Sequence, residues 1–425
     1  MVAGGWRKIG IAMVVVAAAV GAHLWAQAGS SSGATAPAAG TDWPCYRGPN
    51  GNGISDEKGW SSNWATAPKE AWKASVGKGY SSVAVAGGKV YTMGNADGKN
   101  DTVWCLDAKT GTEVWKKSYA CGSASSNPGP RATPTVDGGL VYTLSRQGHI
   151  KCWDAANGDV KWEKTSKELG CVPGKGKDAG SPGTWGYAGS AVILGDLVLF
   201  DLGKVVALNK TTGQKAWESK SYSAGYATPV PFTLGDKKCI ASFDANGLTV
   251  FRQDNREEVS FYKWHTDWYV NSATPLVADG KIFISSGYNT GCALVEAATG
   301  KEIWRNKSMS NHYTTCILYN GYLYGISGQG GPNGVLTCLD IKDGSVKWTH
   351  KGLGTGSLMM ADGKLIIQGA GGDLVVAEAN PTGYKQLAAA KPLSNECWTM
   401  PVLSGGILYC RNTEGALVAL DVSGK

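Results

Sequence analysis

The segment LDAKTGTEVW, residues 106–115, returns along the chain as WDAANGDVKW (153–162), LNKTTGQKAW (208–217), RQDNREEVSF (252–261), VEAATGKEIW (295–304), LDIKDGSVKW (339–348) and AEANPTGYKQL (377–387). The residue that closes each unit recurs every 39 to 55 positions. That period is the length of a four-stranded propeller blade, about 40 to 50 residues. The residues ahead of the Asp alternate as a strand. Gly accepts a positive φ and Asp or Thr bonds its own backbone, so D-x-x-T-G closes a hairpin, and the ring that follows ends the outer strand. A Trp at one fixed place in successive blades reads as packing between neighbours, which assigns Trp72, Trp115, Trp162, Trp217, Trp304 and Trp348 to blade docking.

The chain ends complete the count. GGILYCRNTEGALVALDVSGK (405–425) holds inner strands but stops before its Trp, whereas KEAWKASVG (69–77) carries Trp72 with no preceding hairpin, 43 residues ahead of Trp115. An N-terminal strand that completes the last blade closes the ring and removes exposed sheet edges. The expected fold is therefore all-β: an eight-bladed β-propeller of four-stranded blades over residues 69–425, one domain, preceded by a strap at 42–68. Composition agrees, since 60 of 425 residues are Gly, twice the usual share of about 7%. Charged residues make up only 18%, against about 25% in an average chain, which excludes a charged disordered chain or a coiled coil.

The start of the chain carries an address. Arg7 and Lys8 precede an apolar run from Ile9 to Ala22, and Ala26-Gln27-Ala28 follows with the small-x-small pattern of signal cleavage. The run is shorter than the roughly 20 apolar residues of a spanning helix. A signal peptide over 1–28 with cleavage after Ala28, then a Gly/Ser/Ala-rich linker at 29–41, makes the protein periplasmic or secreted and not an integral membrane protein. Losing Arg7 and Lys8 lowers the formal charge from +7 to +5, with no Lys/Arg run, so no nucleic acid is expected as partner.

Eleven Cys leave at least one thiol unpaired. Cys105, Cys152 and Cys338 hold one place in three repeats and read as buried small hydrophobes, while Cys121 and Cys171 stand where a bridge across a blade junction is open to them. The segment PNGNGISDE (49–57) has oxygen donors at alternate positions but lacks the D-x-D-x-D-G core of a calcium loop, and reads as a solvated strap.

The tandem T-G-x-x-x-W units, YSSVAVAGGKVYT at Tyr80 and RATPTVDGGLVYT at Arg131 resemble the pyrroloquinoline-quinone-like β-propeller repeat family. That superfamily holds quinoprotein dehydrogenases and the non-enzymatic propeller of the outer-membrane barrel-assembly machinery, the BamB type. DWPCYRGPNGNGIS at Asp42 also resembles the start of secreted bacterial propellers of the same family. The resemblance implies a binding or scaffold module for envelope proteins or glycans. Its alternatives are a quinone-dependent alcohol or sugar oxidoreductase, which would need pyrroloquinoline quinone and calcium, and a carbohydrate-binding propeller. The sequence has no adjacent Cys pair, no H-E-x-x-H, no C-x-x-C and no G-x-S-x-G, so no catalytic residue, metal or cofactor is assigned.

Propeller geometry places any site at a mouth of the central channel, where the loops leading into the innermost strands converge. Those loops supply Tyr80, Arg131, Trp185, Tyr187, Tyr226, His265, Asp267, Trp268, Asn271, His312 with Tyr313, and Trp398 with Glu396. The richest stretch, YKWHTDWYVN (262–271), offers His265 and Asp267 for proton chemistry and Trp268 for stacking. If this is one site, Arg131, His265, Asp267 and Trp398 share one concavity. The structural alternative is that the rings cap blade tops and the polar groups tie loops together.

Overall fold

In the computed structural model, which describes residues 42–124, 126–171 and 185–424 together with Met1, the repeat closes its hairpin as its residue types require. The Asp107 carboxylate accepts from the amides of Lys109 and Thr110, at 3.0 and 2.8 Å, and Gly111 takes φ 70. A register shift then sets the outer strand one residue off, between Cys105 and Leu106 in this blade and at the equivalent place in its neighbours. This is the bulge that accompanies a glycine in the left-handed region at a hairpin end.

Among the described residues, eight four-stranded antiparallel sheets follow one another around the ring. Blades 1 to 7 span 84–120, 135–165, 192–218, 230–263, 276–306, 317–351 and 357–390. Blade 8 is built from strands at Val402–Ser404, Ile407–Arg411 and Ala416–Asp421, and Lys69–Ser75 from the other end of the chain adds its outer strand. The ring thus closes with chain termini paired to each other. Its core lies between the faces of adjacent blades, so strands such as Lys364–Gln368 are apolar on both sides.

The docking tryptophans seat on the next blade's turn. Trp72, Trp115, Trp162 and Trp304 donate their indole N–H to the carbonyls of Ala108, Ala155, Lys210 and Ile341 at 2.9–3.1 Å. Each ring lies flat against the turn glycine; a Cβ on Gly111 would stand 2.5 Å from the Trp72 ring. Trp348 bonds Asn380 at 2.7 Å in the same way. Trp217 is the exception, because Arg256 with φ 61 replaces the glycine of blade 4; its ring stays half-buried and makes no bond across the junction.

The strap departs from expectation. Instead of lying in solvent, it runs along the innermost strands and bonds residues of five blades. Trp43 pairs with Val85 of blade 1, the Pro44 carbonyl accepts from Val136 of blade 2, and Glu57 receives the amide of Gly405 in blade 8 at 2.9 Å. Ile54–Ser55 adds a fifth, parallel strand inside blade 7. Arg47, 1% exposed, reaches Cys316 of blade 6 at 3.0 Å. What the sequence could not show is that the channel's inner strands present unpaired amides and carbonyls, which this segment satisfies. The signal and linker read at 1–41 lie, but for Met1, outside the described residues.

All eleven Cys are free thiols, so Cys121 and Cys171 do not pair. Cys105, Cys152 and Cys338 are fully buried in the blade junctions.

Two carboxyls are buried between blades 3 and 4 with no cation among the described residues beside them. Asp244 accepts from the Asn246 amide at 2.8 Å and the Thr249 hydroxyl at 3.3 Å, and Asp201 from the Ser242 hydroxyl at 2.9 Å. Burial, with Asp201 adding to it, pushes Asp244 from 3.8 up to about 8, and burial pushes Asp201 up to about 6. Between pH 3.8 and 8 the folded chain holds a proton that the unfolded chain has released, so stability falls as pH rises and levels off above the folded value. For Asp244 alone the fall approaches about 1.4 kcal/mol per pH unit, and Asp201 adds to it below about 6. Asp244→Asn keeps the shape without the titration. Urea unfolding across this range is expected to show a flatter profile for the variant and greater stability than the parent above the folded value; parallel profiles would contradict the assignment.

Candidate functional site at the channel mouth

The loops that precede the innermost strands surround a half-open cavity of about 340 Å³ at one end of the channel. Going round the ring, blade 8 contributes Trp398, blade 1 Tyr80, blade 2 Arg131, blade 3 Trp185, blade 4 Tyr226 and blade 6 His312 and Tyr313. Tyr46 of the strap also lines it, so the segment that runs along the innermost strands becomes part of the cavity wall.

The aromatic side is a continuous stack. Tyr80 leans on Trp398 with centroids 5.1 Å apart, and Trp398 lies nearly parallel to Tyr313 at 4.1 Å. His312 meets Tyr313 edge-on at 5.2 Å, and Tyr288 meets His312 at 5.1 Å. Burial pulls His312 down to about 4, so its imidazole is neutral at physiological pH and serves as a ring rather than a charge.

The other side carries the cation. Arg131 sits 5.5 Å from the Tyr80 ring and donates to the carbonyls of Gly129 and Asn127 at 2.9 and 2.8 Å. Burial, then the neighbouring Arg146, lowers it to about 10, and it stays charged. No carboxylate among the described residues ion-pairs with Arg131. Beside it Tyr226, 7% exposed, has a hydroxyl without a hydrogen-bond partner.

Beneath the rings runs a belt of hydroxyls that sequence reasoning missed. The amides of Ser82, Thr133, Ser190 and Thr274 donate to the side-chain oxygens of Thr133, Ser190, Thr228 and Thr315, each in the next blade, at 2.9–3.2 Å. A Ser or Thr at one place before the innermost strand, followed by Pro at Thr133 and Thr228, carried the signal: its hydroxyl staples one blade to the last. Tyr288 and Gln329 were missed because they come from loops after the second strand, which open at the same mouth.

Of the candidate residues, Tyr80, Arg131, Trp185, Tyr226, His312, Tyr313 and Trp398 line the cavity, and six, the exposed Glu396 among them, do not. Tyr187 is 1% exposed and packs in the core between blades 2 and 3. Asn271 is wholly buried as a staple: its amide donates to the Asp244 carbonyl while its oxygen accepts from Thr266 and Ser286, all at 2.7 Å. His265, Asp267 and Trp268 stand on the outer rim. All three are exposed; the backbone then passes through two left-handed residues, Trp268 at φ 60 and Tyr269 at φ 57, and it is Val270 and Ser272 that line the cavity. Arg131 and Trp398 therefore share a concavity that His265 and Asp267 do not enter. Trp268 is 72% exposed.

Chemically the cavity can stack rings and hold an acceptor. Its lining contains no carboxylate, and among the described residues no three His, Cys, Asp or Glu groups cluster. Calcium prefers carboxylate and amide oxygens, and quinone-dependent alcohol oxidation needs a carboxylate base, so these residues do not fit a quinone with its metal.

Comparison with known proteins follows the same line. The four-stranded ring is shared with the quinohemoprotein alcohol dehydrogenase of Comamonas testosteroni, at TM-score 0.68 and 13% identity over 91% of this chain and 81% of that one. A europium-containing methanol dehydrogenase gives 0.63 at 12% identity, covering 89% of each chain. At such identities the likeness is one of fold. In sequence, the outer membrane protein assembly factor BamB of Escherichia coli strain K12 is 25% identical over 324 residues, 74% of this chain and 79% of its own length. That of Burkholderia pseudomallei is 26% identical over 289 residues, 57% of this chain and 70% of its own. The family described as outer membrane protein assembly factor BamB matches residues 52–267 and 236–425, in effect the whole ring, and the chain belongs to that family.

Proposed function

We propose that this protein is an exported, non-catalytic binding module of the cell envelope that engages an outer membrane protein or glycan through the channel mouth and its rim. The observation that carries the reading is the mouth itself, a concave aromatic surface lined without a carboxylate and bordered by the exposed Trp268. Large rings set in and around a concavity are the residues that dominate binding energy at protein interfaces. Membership of an assembly-factor family supports a binding role. No helix among the described residues is long and apolar enough to cross a membrane. The signal segment supports delivery beyond the cytoplasm.

Immobilised full-length protein should retain outer membrane proteins from an envelope extract at moderate salt, identified by mass spectrometry. Trp268→Ala, and separately Trp398→Ala, is expected to lower that recovery about tenfold, the cost of one strong anchor. Equal recovery by parent and both variants removes the mouth from the proposed function.

A further inference from the structure

Buried polar groups without a partner line the mouth on two sides: His312 Nδ1 and Trp398 Nε1 within the aromatic stack, and the Tyr226 hydroxyl beside Arg131. Arg131 spends two of its five N–H donors on the Gly129 and Asn127 carbonyls, and the Tyr226 hydroxyl, almost completely buried, spends none. These residues come from blades 2 and 4, flank Trp185 of blade 3, and line the same cavity. Asp101 acts on Arg131 only at a distance and forms no ion pair with it, so a buried hydroxyl without a partner stands beside a cation without a contacting carboxylate, and both deficits are met by one acceptor-rich, negatively charged group. The exposed carboxylates Glu396 and Asp267 stand outside the lining and do not neutralise Arg131.

The rest of the lining decides what carries that charge. Ring faces alternate with small polar side chains, among them Asn127, Ser272 and Gln329. A purely aromatic ligand would leave those amides and hydroxyls unpaired. A sugar ring uses both, its C–H face against an aromatic side chain and its hydroxyls against amides and Ser oxygens. The volume of about 340 Å³ suits one such unit.

We propose that the mouth cavity is a site for an acidic sugar, a pyranose bearing a carboxylate, with the carboxylate held by Arg131 and Tyr226 and the ring against the aromatic wall. The inference rests on the reading of the mouth as a binding surface and names the glycan chemistry it takes. A charge-assisted pair from a guanidinium and a phenol is the arrangement that separates a sugar acid from its neutral parent. An extended acidic polymer would present one residue to the cavity and run on across the rim past Trp268.

The test titrates the full chain with D-glucuronate and D-galacturonate against D-glucose, D-galactose and methyl glucuronate, read by saturation-transfer NMR and tryptophan fluorescence. At least one uronate is expected to bind about tenfold more tightly than its neutral sugar and than the methyl ester. Arg131→Gln should abolish the difference, Arg131→Lys should keep part of it, and Tyr226→Phe should weaken uronate binding severalfold, with melting curves confirming the fold. The ester comparison needs no variant and stands if Arg131→Gln fails to fold. Equal binding of acid and ester, no uronate binding, or unchanged binding in folded Arg131→Gln overturns the proposal. Tighter binding of benzoate or of a short acidic peptide than of either uronate overturns it too, in favour of those ligands. Loss of uronate binding with capture of outer membrane proteins intact would sink this inference and leave the proposed function standing; uronate binding without protein capture would do the reverse to its protein arm.

Discussion

Trp72→Ala is expected to destabilise the folded chain by about 3–5 kcal/mol, the range for deleting a buried aromatic side chain. Trp72 belongs to the only strand of blade 8 that comes from the N-terminal end, and its ring makes the junction to blade 1. It is 7% exposed, bonds the Ala108 carbonyl at 3.0 Å, lies on Gly111 and leans on Tyr409 with centroids 5.8 Å apart. The alanine variant leaves a cavity where that ring stood and leaves the Ala108 carbonyl only the Tyr409 hydroxyl, at 3.2 Å, at the one seam where the ring is closed by strands remote in sequence. The internal control is Trp217→Ala. Because Arg256 occupies the turn in place of glycine, Trp217 is half-buried and unbonded across its junction, and its loss should cost less than half as much. Urea midpoints compared at constant slope measure both; equal losses would mean that the glycine seat and the indole bond add nothing.

The second large effect is expected at Arg411. This side chain is 2% exposed, with no carboxylate partner among the described residues. Its guanidinium donates to the carbonyls of Ser81, Met93 and Gly77 at 2.6, 2.7 and 2.9 Å and to the Thr92 hydroxyl at 2.8 Å. All four acceptors come from blade 1 or the segment leading into it, so one planar cation ties blade 8 to blade 1. Burial pulls it down to about 9, and it remains charged at neutral pH. Arg411→Met is expected to cost about 3–5 kcal/mol, since each buried acceptor deprived of its donor costs about 1–3 kcal/mol and the neighbours relax only in part. Arg411→Lys should recover little, because one ammonium cannot match a fork that serves four acceptors. The seam also carries Tyr80, so the variant should loosen the Tyr80–Trp398 contact and change tryptophan emission before global unfolding. Combined with Trp72→Ala the losses should not add, since both act on one junction. A near-neutral Arg411→Met would show that the carbonyls find other donors.

The repeat carried the blades because nearly everything a blade needs lies within one period of it. The Asp, the turn glycine and the Trp contact each other or the next copy of the same motif, and the Trp72 bond to Ala108 spans only 36 residues. The mouth was legible in part for the same reason: loops ahead of the innermost strands must converge, and seven candidates do. Tyr187 and Asn271 misled because a polar or aromatic residue in such a loop can turn into the core instead. Trp268 misled because it stands exposed in a stretch with two consecutive left-handed residues, a backbone that nothing in YKWHTDWYVN announces.

Local periodicity was enough for the eight blades, their order and the way the ring closes. Contacts between residues far apart in the chain set where the strap lies and what charge faces the mouth. Arg47 finds Cys316 across 269 residues and Arg411 finds Ser81 across 330. A hydrogen-bonding pattern that repeats is written into each repeat, whereas a single buried cation is placed by whichever acceptors the closed ring leaves open, and those exist only once the ring has formed.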